Sequence, residues 1–221
     1  MSELHDIMLL HRGRVLRLKC HKDAIYGCWI KNTFWERDFL FKTLEVLTPE
    51  SVVIDCGANV GNHAIFWTGY VKKVYSFEGN PRTAGVLRDN VERNNLNVVV
   101  VAAPVGNGER VHMRDTSYLG SDFLPDKSGE MVSVCLSDLE FEKIDLLKLD
   151  VEGAEIRTLL GARKLIERDS PIVVVEVHTT RHVESDEVLD VVRTFDFDWK
   201  KKVWLKNIGA QLIWKDGKYE S

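Results

Sequence analysis

Short apolar runs rich in β-branched residues alternate along this chain with segments in which apolar residues return every three or four positions. The first pattern is typical of strands buried on both faces of a parallel sheet, and the second is typical of helices that cover such a sheet. Five runs predict core strands, at 51–56, 72–78, 97–102, 141–150 and 172–178. We therefore predict an α/β fold with a doubly wound, mostly parallel sheet.

Helices are predicted between these strands, and one more precedes the first strand. Thr33 and Glu36 have the spacing of a capping box, which would start this early helix, and Pro49 would end it. Another helix begins at Asn80-Pro81, where proline suits the first turn. The other helices are predicted at 64–67, 151–167 and 184–195.

Three parts of the chain predict antiparallel strands instead. At the N-terminus, Arg14–Cys20 and Ala24–Ile30 flank a turn and predict a hairpin. Residues 104–136 contain a Gly-Asn-Gly hairpin signal and no amphipathic helix, so we expect a β excursion there. At the C-terminus, 202–205 and 210–214 predict a closing hairpin, which would bring the sheet to seven strands.

The length of 221 residues fits one α/β domain over 33–215, with an N-terminal hairpin extension over 1–32 and a frayed tail over 216–221. A net charge of -4 argues against broad binding of nucleic acids or anionic membranes. No apolar run has the length of a signal peptide or a membrane span, so we expect a cytoplasmic protein. No CxxC pair occurs, so a structural zinc site is not expected.

The strand at 51–56 leads into Asp55-Cys-Gly-Ala-Asn-Val-Gly61, a turn with two glycines that precedes an apolar helix start. A strand, a glycine turn and a helix are the parts that bind adenosine cofactors in doubly wound sheets. Asn59 stands where dinucleotide folds need a glycine beside the pyrophosphate. Asp55 also places a negative charge before the turn, and this charge favours a cationic ligand. S-adenosylmethionine (SAM) carries an ammonium and a sulfonium group, so the turn favours SAM over NAD.

A second acidic residue, Glu78, ends the next predicted strand, 21 positions after Gly57. A carboxylate at that distance, at the tip of the adjacent strand, can accept hydrogen bonds from both ribose hydroxyls, although it could also be merely solvated. The residues that we expect to contact the cofactor are Glu36, Asp55, Gly57, Ala58, Asn59, Gly61, Asn62, Glu78 and Asp150. Glu36 has a competing role in the capping box, and His63 is a further candidate for contact with cofactor or acceptor.

Acidic residues and one histidine follow the last two predicted core strands. Asp150 and Glu152 follow the fourth strand, and Glu176 and His178 end the fifth. Ligands bind outside the carboxyl ends of strands in such sheets, and the period of two places Glu176 and His178 on one face. We expect Asp150, Glu176 and His178 to be catalytic. Asp150 could instead cap the following helix, and Glu155 is expected to be solvated.

The chain resembles the FkbM-type SAM-dependent methyltransferases over roughly residues 33–180. The resemblance lies in Asp55-Cys-Gly-Ala-Asn-Val-Gly-Asn-His63, Phe77-Glu-Gly-Asn-Pro81, Ile144-Asp-Leu-Leu-Lys-Leu-Asp-Val-Glu-Gly-Ala-Glu155 and Val175-Glu-Val-His178. The third segment is the most specific, and Gly79 departs from the proline that is commoner in the family. The resemblance implies a Rossmann-like SAM-binding domain over 33–215. It also implies O-methylation of a hydroxyl, often on a sugar, a glycan or a polyketide-derived molecule.

Methyl transfer to a hydroxyl requires the protein to align the acceptor and to manage its proton. The pKa of an alcohol lies about 12 units above that of an ordinary aspartate, so full deprotonation beforehand would cost roughly 16 kcal/mol. Asp150 alone therefore does not form an alkoxide in advance. Either the proton leaves late, or His178 assists, or a metal lowers the pKa of the hydroxyl. Asp150 and Glu176 are oxygen ligands that suit Mg²⁺ or Ca²⁺, and the identity of the base stays open.

Three other functions compete with this interpretation. A nucleic-acid amino methyltransferase typically has Asn/Asp-Pro-Pro-aromatic after its fourth strand, where this chain has Asp150-Val-Glu-Gly and no basic stripe. A nicotinamide-dependent oxidoreductase conflicts with Asn59 and Asp55. A non-catalytic SAM-binding domain would not need Asp150, Glu176 and His178 together. We therefore predict a SAM-dependent O-methyltransferase acting on a small molecule, a sugar or glycan above all, with no nucleic-acid or membrane partner.

Overall fold

The computed structural model describes residues 3–115, 121–177, 185–207, 213–215 and 218–220. The chain divides into two compact units, residues 1–102 and residues 103–221. Each unit contributes three parallel strands with helices between them.

The first unit contains an N-terminal hairpin followed by alternating helices and strands. In chain order its elements are β1 Leu4–His11, β2 Arg14–His21, α1 Ala24–Trp29, α2 Arg37–Thr43, β3 Val52–Cys56, α3 Asn62–Trp67, β4 Lys73–Phe77, α4 Pro81–Arg93 and β5 Val98–Val101. Strand β4 lies between β3 and β5, and both pairings are parallel. All five residues of β3 are buried, as its run of β-branched residues predicts.

The N-terminal hairpin differs from the predicted one. Strand β2 pairs with β1, and the two strands meet at Arg12 and Gly13, which both have positive φ (49° and 76°) and form the tight turn. The prediction of a strand at Ala24–Ile30 is wrong, because this segment forms α1. The side chain of Asp23 accepts a hydrogen bond from the backbone N–H of Tyr26 at 2.7 Å and caps the helix.

The capping box predicted for Thr33 and Glu36 is also wrong. Helix α2 begins at Arg37, and Glu36 precedes it in the left-handed conformation, at φ 59°, without a side-chain capping bond. A left-handed residue at this position interrupts the helical backbone. The segment before α2 therefore approaches the helix as an irregular turn.

The second unit contains a β excursion and then a parallel βαβ arrangement. In chain order its elements are β6 Val105–Gly106, β7 Arg110–Asp115, β8 Ser121–Pro125, β9 Met131–Val132, β10 Val134–Cys135, β11 Leu146–Leu149, α5 Glu155–Asp169, β12 Ile172–Val177, α6 Ser185–Val192, α7 Trp199–Lys202, β13 Val203–Asn207, β14 Ile213–Lys215 and β15 Lys218–Glu220. A 3₁₀ turn, Leu136–Asp138, follows β10.

The excursion predicted for residues 104–136 is confirmed. Strand β7 pairs with β8 and β9 in an antiparallel sheet, and β6 pairs in parallel with β10. Helix α5 packs closely on this region at Gly161, where an added Cβ would lie only 1.9 Å from the backbone oxygen of Gly106. Gly106 and Gly161 thus let α5 pack closely against the strands in residues 104–136.

The closing hairpin predicted from 202–205 and 210–214 falls partly on residues 208–212, which lie outside the described residues. Strand β13 pairs in parallel with β12, so that Val203 lies beside Val173, and β12 pairs in parallel with β11. Strand β14 pairs instead with β15. The described residues thus contain six parallel core strands, one fewer than the seven strands expected, and the predicted α/β fold class is confirmed. Within the same residues, no helix has the length and apolar character needed to cross a membrane.

Candidate active site

The glycine turn after β3 is held against the end of β4. Gly57 and Ala58 donate their backbone N–H groups to the carbonyl oxygen of Phe77, at 2.9 and 3.0 Å. Asn59 takes a left-handed conformation (φ 51°), and its side-chain oxygen accepts a hydrogen bond from the Val60 N–H at 2.8 Å. Asparagine tolerates this conformation because its side chain bonds locally, which explains why the turn forms without a central glycine.

Gly61 closes the turn and starts α3 at φ 103°. A Cβ at this position would lie 2.6 Å from a methyl carbon of Leu87 on α4. Both the conformation and the close approach therefore require glycine. A glycine turn between a strand and a helix is the place where such sheets bind a cofactor.

Glu78 lies at the tip of β4, where both of its carboxylate oxygens contact backbone. Oε2 accepts a hydrogen bond from the Asn59 N–H at 2.9 Å, and Oε1 accepts one from the Asn80 N–H at 2.8 Å. A carboxylate oxygen has two lone pairs, so it can accept more than one hydrogen bond. Gly79 leaves this arrangement intact, and Asn80 caps α4 as predicted.

Asp55 is buried within β3, where the register places it beside Ser76 of β4. The Ser76 hydroxyl is buried without a hydrogen-bond partner in this part of the structure. Buried polar atoms of this kind are uncommon and often accompany a bound water or ligand. This position is compatible with the predicted contact of Asp55 with a cationic cofactor. The contact itself stays a prediction.

Asn62 acts as a clasp between the start of α3 and the segment before α2. Its side-chain oxygen accepts hydrogen bonds from the Trp35 N–H at 3.0 Å and from the Trp29 indole at 3.2 Å, and its amide nitrogen donates to the Trp35 carbonyl at 3.0 Å. The side chain therefore has a structural role. Its predicted contact with the cofactor stays a prediction.

Glu36 and His63 form a mostly buried pair instead of the predicted capping box. A carboxylate oxygen of Glu36 lies 3.1 Å from Nε2 of His63. The His63 ring contacts the rings of Phe39 and Trp67, with centroid distances of 5.8 and 5.9 Å. The first unit thus contains an acid–base pair made of Glu36 and His63, and His63 directly follows Asn62 in the chain.

In the second unit, the structure reveals a lysine that the sequence analysis missed. The Nζ atom of Lys148, on β11, lies 3.4 Å from a carboxylate oxygen of Asp150. Lys148 is only 2% exposed. The sequence did contain a signal for this pair, namely a single lysine inside the apolar run Leu146–Leu149. Lysine is rarely buried without a charged partner, so a lysine in such a run predicts an acidic residue nearby.

The two predicted catalytic carboxylates lie at the same end of neighbouring strands. Leu149 pairs with Val175, so the register continued by one residue places Asp150 alongside Glu176. Strand β13 then carries Lys206 at the position paired with Glu176. Residues paired in this way point to the same face of the sheet. The third predicted catalytic residue, His178, lies outside the described residues.

The turn that follows Asp150 differs from the predicted helix start. Glu152 and Gly153 both have positive φ, 52° and 99°, and α5 begins at Glu155 after an Ala154 N-cap. The alternative in which Asp150 caps this helix is therefore wrong. The prediction of a solvated Glu155 is also wrong, because this residue is 0% exposed and one of its oxygens accepts the Gly153 N–H at 3.1 Å.

The metal site proposed for Asp150 and Glu176 remains without support. Within the described ranges, no group of three or more histidine, cysteine, aspartate or glutamate side chains could hold a metal ion. Two carboxylates alone are a sparse ligand set for Mg²⁺ or Ca²⁺. Metal dependence stays a prediction.

Comparison with known proteins gives a match to the methyltransferase FkbM domain over residues 55–199. Hexuronic acid methyltransferase AglP from Haloferax volcanii is 27% identical over 161 residues, which make up 67% of this chain and 65% of AglP. This chain thus spans slightly less than two thirds of the length of that relative.

Solved structures give more distant matches. The FkbM methyltransferase from Methylobacillus flagellatus KT is 16% identical and aligns over 66% of this chain and 38% of its own, with a TM-score of 0.48. A Streptococcus mutans protein in complex with SAH is 21% identical and aligns over 71% of this chain and 78% of its own, with a TM-score of 0.43.

Proposed function

Because this chain belongs to the FkbM methyltransferase family, we propose that it transfers a methyl group from SAM to a hydroxyl of a sugar or glycan. The single observation that carries the cofactor part of this proposal is the position of Glu78. Its carboxylate is fixed beside the glycine turn by the N–H groups of Asn59 and Asn80. A carboxylate fixed there is suited to accept hydrogen bonds from the ribose hydroxyls of an adenosine cofactor.

The residues of the turn fit such a cofactor. Gly61 lets the turn pack closely against Leu87, and the buried Asp55 supplies negative charge before the turn. Opposite charges favour the ammonium and sulfonium of SAM over a pyrophosphate. We assign Asp55, Gly57, Asn59 and Glu78 to the cofactor, with Glu36, Ala58, Gly61 and Asn62 as further contacts. When bound, SAM supplies an activated methyl group on a good leaving group.

The tasks left to the protein are alignment of the acceptor and removal of its proton. Asp150 and Glu176 lie side by side in the register, so a hydroxyl placed between them can donate a hydrogen bond to either carboxylate. Full deprotonation beforehand would cost roughly 16 kcal/mol, so we propose that a carboxylate takes the proton late, as the methyl group arrives. His178 remains a candidate to assist.

The acceptor class is proposed from the relative in Haloferax volcanii, whose name is hexuronic acid methyltransferase. At 27% identity this relative supports a sugar hydroxyl rather than one particular sugar. Two carboxylates at the same end of neighbouring strands also suit the hydrogen-bond donors of a polyol. A glycan-linked or nucleotide-linked sugar is the acceptor that we propose to test first.

The test combines cofactor binding with methyl transfer. Isothermal titration with SAM and with NADH should give a binding signal for SAM alone. Tritiated SAM should then label at least one member of a panel of hexuronic acids, their nucleotide-linked forms and glycans, with and without EDTA. Binding without label on the sugar panel but with label on RNA or DNA would contradict the acceptor proposal. Binding without any label would favour a non-catalytic SAM-binding domain.

A further inference from the structure

The N-terminal hairpin of β1 and β2 has two long edges, and helix α4 covers the edge of β2. The side-chain amide of Asn94 accepts a hydrogen bond from the Arg17 N–H and donates one to the Arg17 carbonyl oxygen, both at 2.8 Å. Asn90 makes the same two bonds with the backbone of Lys19, at 2.7 and 2.9 Å. Two asparagine side chains, about one helical turn apart, therefore bond this edge as a third strand would.

The opposite edge, along β1, has its backbone groups turned outward. The register pairs Arg17 with Met8 and Lys19 with Asp6. Residues that lie opposite each other in an antiparallel pair either exchange hydrogen bonds or both turn their N–H and C=O groups away. Because Arg17 and Lys19 bond to α4, Met8 and Asp6 turn their groups to the free edge of β1. Among the described residues, these backbone groups have no hydrogen-bond partner.

The free edge ends at Leu10 and carries an apolar face. The Leu10 N–H donates a hydrogen bond to the side-chain oxygen of Asn32 at 2.6 Å. Met8 is 74% exposed, and Leu4 and Leu10 on the same face are also exposed. Proteins usually protect such an edge with lysine, proline or a covering segment, because it is a template for another strand. The free edge of β1 therefore indicates a partner strand, bound through backbone hydrogen bonds.

We propose that β1 pairs with β1 of a second copy of this chain, in antiparallel orientation around a twofold axis. A twofold axis brings the same edge to both sides, so each copy supplies the free backbone groups that the other needs. A pair centred on Ile7 places Asp6 opposite Met8 of the second copy, and the free N–H and C=O groups of both residues are then bonded. It also places Leu4 opposite Leu10, which gathers the exposed apolar side chains on one face.

The charge of Asp6 and the bond of Leu10 select this register. A pair centred on Asp6 would place two aspartates directly opposite each other, and like charges in that position are destabilising. A pair centred on Met8 would place Asp6 opposite Leu10, whose N–H is already bonded to Asn32. In the proposed register Asp6 faces a neutral residue and keeps its contact with Arg93, at 3.3 Å.

This interface goes beyond the proposed methyl transfer and does not depend on it, because the hairpin residues are separate from those assigned to cofactor and acceptor. Two paired strands bury less surface than a standard interface, so we expect a dissociation constant of about 1–100 µM. Sedimentation equilibrium of the full chain at about 5–500 µM measures this constant. A wild-type protein that is monomeric over this whole range would overturn the proposal.

Met8→Pro removes the N–H that the second copy needs, and proline is tolerated at an edge position whose N–H faces outward. We expect M8P to keep its far-UV circular dichroism spectrum and to raise the dissociation constant at least about tenfold. Met8→Lys is the second variant, in case M8P unfolds, and should have the same effect.

The matched control is Val15→Lys. Val15 is 61% exposed on the same face of the hairpin, but it lies on β2, whose edge α4 covers. The V15K variant should therefore dimerise as the wild type does. Folded M8P or M8K that dimerises like wild type would overturn the proposal. Equal loss of the dimer in V15K and M8K would also overturn it, because the apolar face rather than the edge would then hold the copies together.

Disulfide cross-linking tests the register. Opposite residues in a hydrogen-bonded pair have Cα atoms about 5.5 Å apart, which suits a disulfide. The double variant L4C/L10C should therefore form a covalent dimer on mild oxidation, whereas L4C alone, L10C alone and the wild type should not. A dimer that sediments as expected but does not cross-link in the double variant would overturn the proposed register.

Discussion

The Oε2 atom of Glu78 accepts a hydrogen bond from the backbone N–H of Asn59 at 2.9 Å, so one carboxylate joins the tip of β4 to the glycine turn. The same carboxylate reaches the start of α4 through the N–H of Asn80. A single side chain thus sets the distance between the turn and the proposed ribose position. Removing the Glu78 side chain should change both the shape of the site and the affinity of the site for SAM.

We expect Glu78→Ala to raise the SAM dissociation constant about 10- to 100-fold, because hydrogen bonds to charged groups contribute about 1.5–3 kcal/mol. Isothermal titration measures the change. Glu50→Ala, at an exposed position before β3, is the control and should leave the affinity unchanged. An E78A variant that binds SAM within twofold of wild type would remove Glu78 from the cofactor site.

Asp150→Asn and Glu176→Gln separate chemistry from cofactor binding. Each substitution keeps the size of the side chain and removes its ability to take a proton. We expect turnover to fall by about 10²–10⁴-fold while the SAM dissociation constant stays within a few-fold. Single-turnover transfer from labelled SAM and isothermal titration measure the two quantities. Unchanged rates in both variants would exclude these carboxylates from the mechanism.

Gly161→Ala should destabilise the protein, although alanine is normally the better helix former. The new Cβ would meet the backbone oxygen of Gly106, which cannot move aside as a side chain can. We expect the free energy of unfolding to fall by about 3 kcal/mol, as measured by urea denaturation. Gly85→Ala on α4 has nothing within 4 Å and should raise that free energy by about 0.5–1 kcal/mol. Equal effects at the two positions would contradict the close packing of α5.

His11 should make the stability of the protein depend on pH. Burial lowers the pKa of His11 below its ordinary value of 6.5, although contacts with the carbonyl oxygens of Thr68 and Phe66 oppose the shift. The unfolded chain therefore takes up a proton first as the pH falls. The stabilising contribution is complete above pH 6.5 and is lost as the pH falls through the lower pKa of the folded protein.

The measurement is the free energy of unfolding between pH 5 and pH 8, by urea denaturation at about ten pH values. His11→Asn should flatten the decline below pH 6.5 relative to wild type. A His11→Asn profile that is parallel to that of wild type would show that burial of His11 does not control the slope.

The parts of the fold that the sequence predicted well are those where several local signals agree. Strand β3 has consecutive β-branched residues, and α4 begins at Asn80-Pro81 and shows helical periodicity to its end. The segment Ala24–Ile30 has strand-like composition, yet the Asp23 cap and burial of Trp29 make it a helix. Tertiary contacts override weak local propensity in such short segments.

Non-local pairing accounts for the other errors. The alternation in residues 202–205 predicts a strand but cannot specify that its partner is the parallel β12. Glu155 was predicted to be solvated and Lys148 was not singled out, whereas both side chains are buried in the structure. Domain bounds, individual site residues, metal dependence and the cytoplasmic location stay predictions.

The hydrogen bonds of the Asn62 side chain hold the segment around Trp35 in one position, so this segment does not act as a hinge. Moving this segment outward would break two hydrogen bonds between the Asn62 side chain and the Trp35 backbone, and it would loosen the Trp29 indole at the same time. The Trp35 amide should therefore exchange with deuterium only when the start of α3 also opens, as one cooperative event. A ligand that binds next to the segment around Trp35 must therefore fit a surface that is already formed.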